Sequence, residues 1–270
     1  MVSRKVDGHI LFGARGEKRK NVFGAKWRLR KHLFGSQRVN NFPNSDSMIS
    51  DCMILVHHSE VLFILKQILS NPDLPVQQLS YDIMFTLADF YLFILLFREM
   101  ELKSSPIIPL AYMIHEWKLI STHDVFWCNV EKICPEITQS NVVIITDQEE
   151  LITQSIHKYF SSVPHFVSTN HIIQACKRWL RFHGVSTSLK ALYYIDCIRS
   201  LLQCSTEVEY KDLPIANMVK WSQLFTQYFM ANFNSNSNRL CAWATWNHDC
   251  ESPTTNQSES FNCIIKHLQN

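Results

Sequence analysis

Three carboxylates stand where phosphodiester chemistry could use them. Asp82 lies in the apolar stretch YDIMFTLADFYLFILLF, Asp147 ends the run NVVIITD, and Glu259 sits in NQSESFN near the carboxyl end. Mg2+ prefers hard oxygen ligands in octahedral geometry, so a pair of such ions needs about three acidic side chains drawn from different elements. Two ions held roughly 3.5–4 Å apart can activate a water or a 3′-hydroxyl and stabilise the leaving oxygen of an in-line displacement. Asp82 near the start of a strand and Asp147 at the end of another could meet across neighbouring strands, with Glu259 closing the site from a last helix.

Each of these residues has a plainer role open to it. Asp147 could cap a helix that begins at Gln148. Asp82 could be a solvent-facing charge at a strand end, and Asp89 reads as a turn residue. Asn256 and Glu259, three apart, have the spacing of a capping box. No Lys or Arg lies within fifteen residues of Asp82. Burying that carboxylate uncompensated would cost on the order of several kcal/mol, so it must be exposed, paired, or gathered with other carboxylates around a cation. His171 reads first as a helix-start or packed histidine. His115 and Glu116 read as an exposed pair ending a strand, and Trp179 and Trp221 as core.

The elements that must position these groups follow from periodicity and punctuation. Residues 58–70 carry an apolar stripe and are expected to be helical, after a linker over residues 41–50. Residues 79–86 and 91–97 form a hairpin, and residues 107–117 a third strand. A helix from Ser121 to Cys134 is closed by Pro135. The continuous apolar run before Asp147 has the character of a strand buried on both faces. A helix over residues 148–160 and a short strand in HFVSTN complete the series. The order β-β-β-α-β-α-β, with hairpins feeding a mixed sheet flanked by helices, predicts an α/β fold of ribonuclease-H-like plan. From His171 onward the character is helical, and that block is expected to be an insertion before the last helix, NQSESFNCIIKHLQN. The expected organisation is therefore a basic leader over 1–50, a core over 51–170, a helical insertion over 171–250 and a final core helix over 251–270.

Composition narrows the partners. The first forty residues hold eleven Lys and Arg against Asp7 and Glu17, while the rest of the chain holds 15 against 22. The leader thus carries a charge of about +9 and the remainder about −7. Lys18, Arg19, Lys20, Lys26, Arg28, Arg30 and Lys31, interleaved with Phe23, Trp27 and Phe34, could neutralise phosphates while the rings stack on bases; a flexible basic leader is the plainer reading. The leader lacks the apolar core of a signal peptide, and the 84–97 run is too short to cross a bilayer. Nine cysteines without a CxxC pair fit a reduced chain, and Cys241, His248 and Cys250 match no strong zinc template.

The stretches LSYDIMFTLADFYLFILLF, PLAYMIHEWKLISTHDVFW, VVIITDQEELITQSI, NHIIQACKRWLRFHG, KWSQLFTQYFMANF and TTNQSESFNCIIKHLQ, taken in order, resemble the transposase domain of Mutator-like elements (MULE) over residues from about 55 to 270. The resemblance implies a ribonuclease-H-like fold with a helical insertion. It also implies an Asp-Asp-Glu (DDE) triad that binds Mg2+ or Mn2+ for DNA cleavage and strand transfer. By motif, Asp82, Asp147 and Glu259 fill the catalytic and metal-binding positions, with His171 and Asn262 as secondary candidates. DNA is the implied partner; the nucleus is the expected location, no membrane partner is expected, and a homo-oligomer is left open. The chain departs from the pattern at Ser168, where a cysteine is expected three residues before His171, and at Ile83-Met84, where hydroxyl residues commonly follow the first aspartate. No zinc-finger module is visible. The alternatives are a domesticated, non-catalytic DNA-binding or protein-interaction module derived from a transposase, and a decaying transposon fragment.

Overall fold

The computed structural model describes residues 53 to 263 apart from 72, 88–89, 99–105, 117, 140, 186–188, 219, 251–252, 257, 259 and 262. The basic leader with its seven candidate DNA-binding residues, and Asp89, Glu259 and Asn262, lie outside the described residues. Six strands form one mixed sheet: β1 (Met53–His57), β2 (Gln77–Leu87), β3 (Phe90–Arg98), β4 (Ile107–His115), β5 (Val142–Thr146) and β6 (His165–Val167). Their order across the sheet is β1-β4-β3-β2-β5-β6. β1, β4, β3 and β2 pair antiparallel in turn, and β2, β5 and β6 run parallel. Three helices accompany this part of the chain: α1 (Ser59–Leu69), α2 (Ile120–Ile133) and α3 (Glu150–Tyr159). Beyond β6 come α4 (Thr169–Phe182), α5 (Leu189–Leu202), α6 (Glu207–Met218), α7 (Gln223–Asn232), α8 (Ser237–Leu240) and α9 (Ala242–Trp246).

Alternation decides which side of the sheet each residue serves. On one face Leu79, Tyr81, Phe93, Leu95, Val142 and Ile144 pack with Leu65 of α1, Phe126 and Trp127 of α2 and Ile152 of α3 to make the main core. On the other, Val143 and Ile145 pack with Phe166 and Cys250, and Met84 packs with Ile54, Leu92 and Ile114. All five residues of β5 are buried, as its apolar run Val142 to Ile145 requires, and Thr146 is buried with them. Helices α4 to α8 hold a separate core around Leu180, Tyr194, Trp221 and Phe229.

A buried polar pair lies inside the main core. The Tyr81 hydroxyl and His123 Nδ1 are 2.9 Å apart, and the imidazole stacks on Phe93 with centroids 4.7 Å apart. His123 has no exposed surface. Its pKa is pushed down to about 4, first by burial and then by the charge of Lys118. The ring is therefore neutral and its Nδ1 can accept the tyrosine proton.

Two expectations are corrected here. Residues 53–57, assigned no element from sequence, form the edge strand β1, whose Met53 pairs with His115. His115 is consequently an interior position of the sheet, paired with Tyr91 on its other side, and it is wholly buried rather than exposed; Glu116 is half-buried. The first long strand also begins at Gln77, which puts Asp82 at its middle rather than near its start.

Candidate functional site at the carboxyl end of β5

Register brings two of the candidate carboxylates to one level of the sheet. The parallel pair β2/β5 matches Gln77 with Val142 through to Ser80 with Ile145. Two residues further along each chain stand Asp82 and Asp147. β2 continues past this level while β5 ends at Thr146, so a mid-strand residue on one strand neighbours a strand-end residue of the other. Asp82 alternates with Ser80 and Met84 onto the face opposite the main core. It is 7% exposed, pairs across the sheet with Ile94, and its Oδ1 accepts the N–H of Ile83 at 2.7 Å.

Asp147 is held differently. Helix α3 begins at Glu150 with Glu149 at its cap position, and no side chain caps it. The helix-capping role open to Asp147 from sequence is therefore not the one it plays. The side chain is one-third exposed, and its Oδ1 lies 2.8 Å from His171 Nε2 in the first turn of α4. This contact joins a secondary candidate to a primary one. Asp147 and His171 share a cleft of about 290 Å3 with Gln148, Arg178, Tyr228 and Asn232. The wall of that cleft opposite the sheet end belongs to α7, fastened by the Gln148 amide, which donates to the Asn232 carbonyl.

The backbone at Asp147 is fixed by residues that the sequence did not single out. Arg239 of α8 donates to His165 Nδ1 at 2.9 Å, His165 Nε2 is 2.8 Å from Thr146 Oγ1, and that hydroxyl donates to the Asp147 carbonyl at 2.7 Å. An arginine has no acceptor, so His165 must accept at Nδ1 and carry its proton on Nε2. Every link then runs in one direction, from Arg239 to Asp147. Burial first, and then the charges of Arg239 and His157, hold the His165 pKa well below its usual value, which keeps the ring in that neutral form. No local signal could reveal this chain, because 74 residues separate His165 from Arg239.

Ser168 also acquires a task. It is completely buried at the β6–α4 junction, and its Oγ accepts the Thr255 N–H at 3.1 Å and contacts the Thr255 hydroxyl at 3.0 Å. The Thr169 N–H donates to the Pro253 carbonyl at 3.0 Å. The chain thus returns from the helical block to the end of β6, the same edge of the sheet as Asp147. Asn170 of α4 donates to the Thr254 hydroxyl at 3.3 Å in the same stretch. Among the described residues, no three His, Cys, Asp or Glu side chains gather to hold a metal ion. Cys241 belongs to the helical core, while Cys250 packs on the sheet. The carboxylate oxygens of Asp82, on β2, and Asp147, just past the end of β5, are hard donors of the type that Mg2+ or Mn2+ takes.

Among the described residues no helix is long and apolar enough to cross a membrane. Neither a scan against protein-family models nor a search of curated proteins finds a match to this chain.

Proposed function

We propose that this chain is a transposase-like domain of DDE type, on a ribonuclease-H-like sheet, that cleaves and joins DNA strands with Mg2+ or Mn2+. The observation that carries the reading is the β2/β5 register, paired as far as Ser80 with Ile145, from which Asp82 on β2 and Asp147, the residue after β5, are each two residues further along. Ligand sites of open α/β sheets lie outside the carboxyl ends of their strands. An antiparallel series that passes through β2 into two parallel strands supports the ribonuclease-H-like plan. The resemblance to Mutator-like transposases supplies Glu259 as third ligand, and the charge of the basic leader, Lys18 to Lys31, is a source of sequence-independent DNA affinity.

Bound divalent ions would polarise the scissile phosphate and lower the pKa of an attacking water or 3′-hydroxyl. The residues of the chain do the rest. Asp82 presents its oxygens from the middle of β2, and Asp147 from the first residue after β5. His171 orients the Asp147 carboxylate through the 2.8 Å contact. The chain from Arg239 through His165 and Thr146 fixes the Asp147 backbone.

The test is incubation of the full chain with labelled duplex DNA in Mn2+, Mg2+ or EDTA. The expected outcome is nicked and joined products with either metal and none with EDTA. DNA binding without any cleavage would favour the domesticated, non-catalytic alternative.

A further inference from the structure

From residue 41 onward acidic residues outnumber basic ones by 22 to 15, yet α4 holds Lys177, Arg178 and Arg181 and no acidic residue in its 14 positions. At 3.6 residues per turn, Gln174, Lys177, Arg178 and Arg181 fall within an arc of about 100°. All four are exposed, whereas Ile172, Cys176 and Leu180 are buried on the other side. Among the described residues no carboxylate forms an ion pair with any of the three cations. Exposed cations are usually just solvated. These differ in where they lead, because α4 opens at His171, against Asp147, and Arg178 lines the cleft that holds both. From His171 to Arg181 the helix rises about 15 Å, long enough to run beside consecutive phosphates of one DNA strand. At the far end Phe182 is 87% exposed, an aromatic face beside the last cation.

We infer that the exposed face of α4 is a rail for the phosphodiester backbone of duplex DNA, on which Lys177, Arg178 and Arg181 lead a strand to Asp147. This rests on the strand-transfer reading, and it names the surface by which that site takes its substrate. A carboxylate cluster repels a polyanion, so a site built around Asp82 and Asp147 needs cations alongside it to hold the backbone in place. The basic leader supplies affinity from a tether. A helix that begins at the site supplies direction.

The test uses the full chain in EDTA, so that binding is read without phosphodiester transfer. Fluorescence anisotropy with a 20-base-pair duplex is measured over a salt series for wild type, for Lys177→Gln/Arg178→Gln/Arg181→Gln, and for a control with Lys190→Gln/Lys211→Gln/Lys220→Gln elsewhere in the helical block. At about 0.9 counterion per phosphate contact, the α4 variant is expected to lower the slope of log K against log salt by about 2 to 3 and to weaken low-salt binding at least about tenfold. The control should match wild type, and all three proteins should melt within a few degrees of one another. An unchanged slope in the α4 variant, or an equal fall in the control, overturns the inference. So does displacement by polyglutamate as effective as displacement by DNA of equal charge, since the face would then be a general anion surface. If the slope falls although wild type transfers no strands, the rail stands and the proposed reaction fails; strand transfer with an unchanged slope does the reverse.

Discussion

Asp147→Asn should lower metal-dependent cleavage and joining of DNA at least about a hundredfold while leaving the protein folded. Lewis-acid stabilisation by a bound divalent ion is worth on the order of several kcal/mol, and asparagine keeps the shape of aspartate but removes the charge that, on the proposed reading, would hold the ion. The fold should tolerate the change. Asp147 caps no helix, its side chain is one-third exposed, and its contact with His171 is of a kind worth about 1 kcal/mol or less. Thermal melting of wild type and variant in EDTA checks the first point, and the cleavage assay in Mn2+ checks the second. A variant as active as wild type would remove Asp147 from the metal site.

Acid should destabilise the protein well before its carboxylates protonate. His123 has a pKa of about 4 in the folded chain, against about 6.5 when unfolded. A depressed folded value means that the stability linked to His123 is fully present above about pH 6.5 and is lost as the pH falls toward 4. The shift corresponds to about 3 kcal/mol by pH 4, of which about 2 kcal/mol should be gone by pH 5. Protonation would place a cation in the core and remove the acceptor that Tyr81 uses. His165, pushed down by burial and by Arg239, titrates in the same sense. Urea unfolding at pH 7.5 and pH 5 measures the loss. His123→Phe, which keeps the stacking on Phe93, should be less stable at pH 7.5 but should lose about 2 kcal/mol less on acidification. Equal losses in both proteins would show that His123 is not the group responsible.

Much of the fold is legible in the sequence because its elements carry strong local patterns. The hairpin of β2 and β3, the buried run of β5 and the helices after His171 follow from apolar periodicity and from punctuation by Asp, Gly and Pro. β1 does not, because MILVH runs straight into α1 without a turn signal, and it counts as a strand only once β4 is present to receive it. That omission also made His115 look exposed. In the site, the neighbouring levels of Asp82 and Asp147 depend on register, which length and pattern leave open by a residue or two. The contact between Asp147 and His171 was reachable, since a strand-end carboxylate and a helix-start histidine at the next strand are close by topology. The supports were not. His165 looks like an ordinary short-strand residue, and Arg239 like a surface cation, until the helical block folds back and buries them together. Ser168, which stands where Mutator-like transposases have a cysteine, is the hydroxyl that meets Thr255.

On the proposed reading, Asp82 and Asp147 jointly hold a divalent cation. Anomalous diffraction from crystals soaked in Mn2+ tests it most directly. A manganese peak is expected, bonded to carboxylate oxygens of both aspartates at the carboxyl end of β5, with Glu259 turned toward it. Saturating Mn2+ that leaves no peak between Asp82 and Asp147, with Glu259 directed instead to the backbone N–H of Asn256, would contradict it.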